Sequence, residues 1–136
     1  GRGLSVQFGI TNDGQIYQMM TKETSWAAQA TGGNDTTFGI EIEGTGDASG
    51  LPDFGANGPT TNPKKFAAVV HLVTYLVKKY HLPLTGHLVC NDVVGVHPHK
   101  DYNTICPQYG NPGKLDIDDA YFNAVMAAVK QQPGIQ

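Results

Sequence analysis

The 136-residue sequence predicts a single α+β domain, a mixed α/β architecture with a central mixed β-sheet flanked by helices. Three observations predict it. Short alternating strands cluster in the first 44 residues, a long amphipathic helix fills the middle, and an apolar strand and a second helix occupy the last third. The order β-β-β-α-β-loop-α lets sheet and helices share one core, and no internal repeat or second domain interrupts residues 1–136.

"LSVQFGI", Leu4 to Ile10, alternates and runs into "TNDGQ". Asp13-Gly14 between two apolar runs signals a hairpin, because glycine accepts the positive φ of a tight turn. "QIYQMM" returns as the second strand, and residues 21–35 read as irregular with Trp26 as their anchor. "TTFGIEIEG", Thr36 to Gly44, is the third strand. Its period of two sends Phe38, Ile40 and Ile42 inward and places Glu41 and Glu43 together on the opposite face.

A long Gly/Pro/Asn/Thr stretch, "TGDASGLPDFGANGPTTNP", follows as a loop of the length that usually serves function. Asn62-Pro63 then starts a helix, with an N-cap and a proline in the first turn. Phe66, Val69, Val70, Val73, Leu76, Val77 and Tyr80 form its apolar stripe, and Lys64, Lys65, Lys78 and Lys79 are expected in water. "HLPLTGH" ends the helix and "LVCNDVVGV" reads as a buried strand. "DIDDAYFNAVMAAVKQQ" is an amphipathic helix with acids at its N-terminus, where the helix dipole favours them.

Composition narrows the partners. Hydrophobic content of 40% with 15% charged residues, 17 Gly and 8 Pro describes a loop-rich globular chain rather than a disordered one. The net charge of −3, with no basic run, argues against nucleic acid, which needs clustered Lys and Arg to neutralise phosphates. The longest apolar stretch, "FAAVVHLVTYLV", is 12 residues and carries His71, too short for a membrane span. A monomer is the expected state.

Chemistry concentrates in "GVHPHKDYNTICPQYG", Gly95 to Gly110. His99 and Cys106 lie seven residues apart, with Thr104 before the cysteine and Pro107 after it. Imidazole nitrogen and thiolate are good zinc ligands, and a catalytic zinc takes three protein ligands and keeps one position open. The alternative is that Cys106 pairs with Cys90 and the histidines are solvated. Glu41 is a candidate acid–base group if its strand face looks into a cleft, and an ordinary surface carboxylate if it does not. His87 and Asp101 offer a second possible ligand pair. His71 on the helix flank and His81 just past the helix end read as surface and dipole-facing residues.

In this order the pieces resemble the type 2 N-acetylmuramoyl-L-alanine amidases, the family shared with phage lysozyme-amidases and peptidoglycan recognition proteins. "LSVQFGITNDGQIYQMM" looks like the family's first hairpin and "TSWAAQA" like its Trp-containing segment. "FGIEIEG" is the most specific element. "FAAVVHLVTYLVKKYHLPL" is similar to the long helix, and "GVHPHKDYNTICP" to the ligand corner. The resemblance implies cleavage of the amide between the lactyl group of muramic acid and L-alanine, at a zinc held by two His and one Cys or Asp. By position it makes His99 the second zinc His, Cys106 the thiolate, Thr104 the stabiliser of the tetrahedral oxyanion and Glu41 the acid that handles the water. It also implies peptidoglycan as partner and a cell-wall location, extracellular or periplasmic.

The family pattern is departed from in places. Its first zinc His lies on a strand before the hairpin in a His-His-Thr-like stretch, and a domain beginning at Gly1 is expected to lack that strand, leaving His87 or His97 as a substitute ligand. Gln7 stands where a His is frequent, Val6 where a Tyr is and Ala27 where a His is. An alternative alignment makes His87 and Asp101 the ligands. Two readings from other classes stand beside the enzyme: a metal-free module that grips muramyl peptide without cutting it, and an unrelated secreted domain stapled by Cys90–Cys106.

Overall fold

A computed structural model of the chain describes residues 7–19, 39–44, 54–84, 95–98 and 117–135. Strands β1 (Phe8–Ile10), β2 (Ile16–Gln18) and β3 (Ile40–Ile42) form a mixed sheet in the order β2-β1-β3. β1 runs antiparallel to β2, with Gly9 opposite Tyr17, and parallel to β3, with Gly9 aligned to Glu41. This is the mixed sheet that the sequence predicts. The expected fourth strand, in "LVCNDVVGV", lies almost wholly outside the described residues, as does Trp26.

The hairpin forms where Asp13-Gly14 places it, with a loop one residue longer than a two-residue turn. Thr11 N donates to Gln15 O at 3.0 Å and Gly14 N to Thr11 O at 3.0 Å, which leaves Asn12, Asp13 and Gly14 as the loop. Gly14 takes φ 82 as the left-handed residue that closes such a loop. A Cβ at Gly14 would lie 2.9 Å from the Lys64 carbonyl oxygen, so the hairpin tip also needs glycine to meet the helix. The Thr11 hydroxyl donates to the Asp13 carboxylate and accepts from Gln15 N, knitting the turn locally.

Part of the long Gly/Pro loop is helical: α1 (Gly58–Thr61) is a single turn with proline at its start. Helix α2 (Pro63–Tyr80) follows at once, with the Asn62 side chain accepting from Lys65 N at 3.2 Å as the N-cap. It ends at His81, which takes φ 54 and ψ 45, a left-handed conformation uncommon outside glycine, before Pro83 stops any continuation. Helix α3 (Asp119–Lys130) is capped by Asp118, whose carboxylate accepts from Tyr121 N at 2.9 Å; Asp119 in the first turn and Lys130 in the last suit the dipole.

The core lies between the sheet and the two long helices. Phe8 and Ile10 of β1, Val69, Leu72, Val73 and Leu76 of α2, and Tyr121, Val125 and Val129 of α3 are its buried members. Fully burying each such side chain contributes about 1.5–3 kcal/mol. Tyr121 is the hub of an aromatic cluster: Phe54 meets it edge-on with centroids 5.0 Å apart and Phe66 at 5.7 Å. The α2 stripe is buried as its spacing predicts, with Phe66 and Tyr80 only partly covered at its ends.

One expectation is overturned. Lys64, Lys78 and Lys79 are exposed, but Lys65 is 0% exposed and points into the fold. Its position explains why. Lys65 precedes Val69, Leu72 and Leu76 by four, seven and eleven residues, so it continues the buried face of the helix rather than the wet one.

A second polar residue is buried in α2. Among the described residues the Thr74 hydroxyl has no hydrogen-bond partner. Thr74→Val, which keeps the shape and deletes that oxygen, is expected to stabilise the protein by about 1 kcal/mol. Thermal and urea unfolding check this, and a lower midpoint would mean the hydroxyl is partnered.

Candidate functional site

The residues with chemistry to offer lie on the sheet face turned away from α2. Alternation along β1 and β3 sends Phe8, Ile10, Ile40 and Ile42 to the core, which leaves Gly9 and Glu41 on the other face. Across the three strands the register lines up Tyr17, Gly9 and Glu41 in one row. Tyr17 is 56% exposed and Glu41 is exposed. Glycine in the middle makes room for the Met19 side chain, whose sulfur would lie 3.1 Å from a Cβ at Gly9.

The two glutamates of β3's outer face have different jobs. Glu43 accepts from the Asn12 backbone N–H at 3.0 Å through one carboxylate oxygen and from Asn12 Nδ2 at 3.1 Å through the other. It is occupied in holding the hairpin tip. Among the described residues the exposed Glu41 carboxylate has no hydrogen-bond partner. Alternation along the strand places both acids on one face; their partners separate them.

Gln7 is also placed by this face. It is 1% exposed, its Oε1 accepts from Gly39 N at 2.6 Å, and its carbonyl accepts from Met19 N at 2.8 Å. The side chain thus clips the entry of β3 to β1. Reading the sequence alone registers Gln7 only as a departure from a family pattern, and nothing in its spacing signals the clip.

A family model described as N-acetylmuramoyl-L-alanine amidase matches residues 1–109. The chain belongs to this amidase family. No curated protein and no solved structure matches it. The match spans the hairpin, the strand with Glu41, the long helix and the histidine-rich corner up to Tyr109. Membership makes amide hydrolysis the reaction class and peptidoglycan the substrate class. Among the described residues no helix is long and apolar enough to cross a membrane.

Of the site residues expected from the sequence, Glu41 lies among the described residues, exposed on β3. His99, Thr104 and Cys106 lie outside the described residues, as do His87, Asp101 and Cys90. His97 is half-buried beside the buried Pro98, and Gly95 turns the chain at φ 113 just before them. Among the described residues no group of three His, Cys, Asp or Glu could hold a metal ion. His71 and His81 are exposed on α2 and at its end, in keeping with the surface roles expected of them.

The row of Tyr17, Gly9 and Glu41 gives a test that separates function from stability. Met19 is 59% exposed and flexible, so Gly9→Ala is expected to displace it and change stability by no more than about 0.5 kcal/mol. If Glu41 serves hydrolysis, lysis should nonetheless fall, because the displaced Met19 side chain crowds the face that carries Glu41. Unfolding midpoints alongside cell-wall lysis check both halves.

Proposed function

We propose that the chain is a zinc-dependent peptidoglycan hydrolase that cleaves the amide between N-acetylmuramic acid and L-alanine, working as a monomer at the cell wall, outside the cell or in the periplasm. The observation that carries this reading is the family match over residues 1–109, which takes in both the Glu41 strand and the corner of His99, Thr104 and Cys106. Supporting it, Glu41 is exposed on the open sheet face while its neighbour Glu43 is engaged in structure.

His99 and Cys106 would hold the metal, and imidazole with thiolate is a donor set that suits zinc; His87 or His97 would be a further ligand. When bound, zinc polarises the scissile carbonyl and lowers the pKa of water. Glu41 takes the proton from the attacking water as its oxygen bonds to the carbonyl carbon. The Thr104 hydroxyl donates to the oxyanion that develops. Glu41 then returns the proton to the departing nitrogen as the carbon–nitrogen bond breaks, leaving the lactyl carboxylate and the amine of L-alanine. No covalent enzyme intermediate is required.

Removing the acid–base group is expected to slow hydrolysis about 10²–10⁴-fold. Glu41→Ala should therefore abolish the turbidity loss of a cell-wall suspension while leaving cell-wall binding in place. Unchanged lysis would remove Glu41 from the mechanism. Native mass spectrometry of the same samples should show one zinc, lost to chelator together with lysis. Binding without lysis by the unaltered chain, and without zinc, would instead make it a muramyl-peptide binding module.

A further inference from the structure

We propose that Lys65, a helix residue distant from the zinc ligands in sequence, is a positioning residue for Glu41. The inference rests on the reading of Glu41 as the acid–base group. Lys65 Nζ donates to the Glu43 carbonyl at 2.7 Å and to Asn12 Oδ1 at 3.0 Å, and sits 4.6 Å from the centroid of the Phe54 ring. Asn12 is held in turn by the Glu43 carboxylate and by Asn62, whose Nδ2 donates to Asn12 O at 2.8 Å. Asn62 also caps the helix that carries Lys65.

Asn12, Glu43, Asn62 and Lys65 therefore close a ring that ties the hairpin tip, the exit of β3 and the start of α2 together. Glu41 lies between two fastenings of its own strand. Two residues before it, Gly39 N is held by Gln7 Oε1; two residues after it, the Glu43 carbonyl is held by Lys65 and Glu43 N donates to Ile10 O at 2.8 Å. Among the described residues Glu41 has no side-chain partner, and these backbone fastenings of its strand are what hold it there. A general base displaced by about 1 Å loses on the order of a hundredfold in rate, so the fastening that sets the strand also sets the chemistry.

Lys65→Met keeps the buried stem and deletes the ammonium. The Glu43 amide is expected to exchange hydrogen about tenfold faster, beyond any change shared by the Leu72 and Val129 amides of the two helices. This readout does not depend on turnover. On a soluble N-acetylmuramoyl peptide, kcat should fall about tenfold or more with KM within about twofold, and Lys65→Arg should restore most of it. In a Glu41→Gln background Lys65→Met should cost nothing further, because its effect passes through a carboxylate already removed.

Unchanged protection of the Glu43 amide would overturn the proposal, and so would an equal loss of kcat in both backgrounds. Full activity of Glu41→Gln alone would sink the reading of Glu41, and the proposal with it, whatever Lys65→Met does. If Lys65→Met fails to fold, Asn12→Ala at the exposed hairpin tip removes one of the ammonium's acceptors and is held to the same outcomes.

Discussion

A buried ammonium organises this fold. Moving a lysine charge out of water is costly unless hydrogen bonds and a compensating environment replace its hydration. At Lys65 the replacement includes a main-chain carbonyl, a side-chain amide oxygen and the face of Phe54. Hydrogen bonds to a charged group contribute about 1.5–3 kcal/mol each, and a desolvated cation–π contact about 2 kcal/mol. The groups that supply them come from three segments far apart in the chain, around residues 12, 43 and 54. The charge is satisfied only when hairpin, strand and helix have all docked, which couples their formation.

The hydrophobic core needs that coupling. Among the described residues β1, β2 and β3 are each three residues long, and strands so short contribute few ladder hydrogen bonds. Phe8 and Ile10 lend it one buried face, and Ile40 and Ile42 are only partly covered. The polar ring at the sheet's end therefore carries a share of the work that longer strands would do. Phe54 links the two systems, meeting the ammonium with its face and Tyr121 edge-on within the apolar cluster. Polar lock and apolar core share that one ring.

Much of this was legible in the sequence, and the exceptions have physical causes. The hairpin, the third strand, both long helices and their caps follow from turn chemistry and periodicity, which are local. Lys65 departs from its expected place because position outweighs residue type: lysine is rarely buried, yet its spacing from Val69, Leu72 and Leu76 is that of the core face. The clip from Gln7 to Gly39 and the grip of Glu43 on Asn12 could not be read, since each joins residues more than thirty apart. Of the candidate site, the outward placing of Glu41 was legible from alternation, and the role expected of it only from resemblance. The corner of His99 and Cys106 was legible only as composition and resemblance, because whether the two residues converge on a metal is a tertiary matter that spacing does not determine.

The contrast between Glu41 and Glu43 shows how such a site can be built at low structural cost. Adjacent outward positions of one strand share nearly the same solvent and the same sheet. What differs is the register of their partners. Glu43 faces the tip of the hairpin, where a backbone N–H and an amide both need an acceptor; Glu41 is aligned with Gly9, which has no side chain to offer. A larger residue at position 9 would have to displace Met19, whose sulfur would lie 3.1 Å from its Cβ, and a donor there would reach the carboxylate. Glycine therefore keeps Glu41 available, while the residues fastened on either side keep its backbone still. An acid that must exchange protons with a substrate needs both conditions together, because a carboxylate held by its own side-chain bonds is fixed but occupied, and one on a loose strand is available but misplaced.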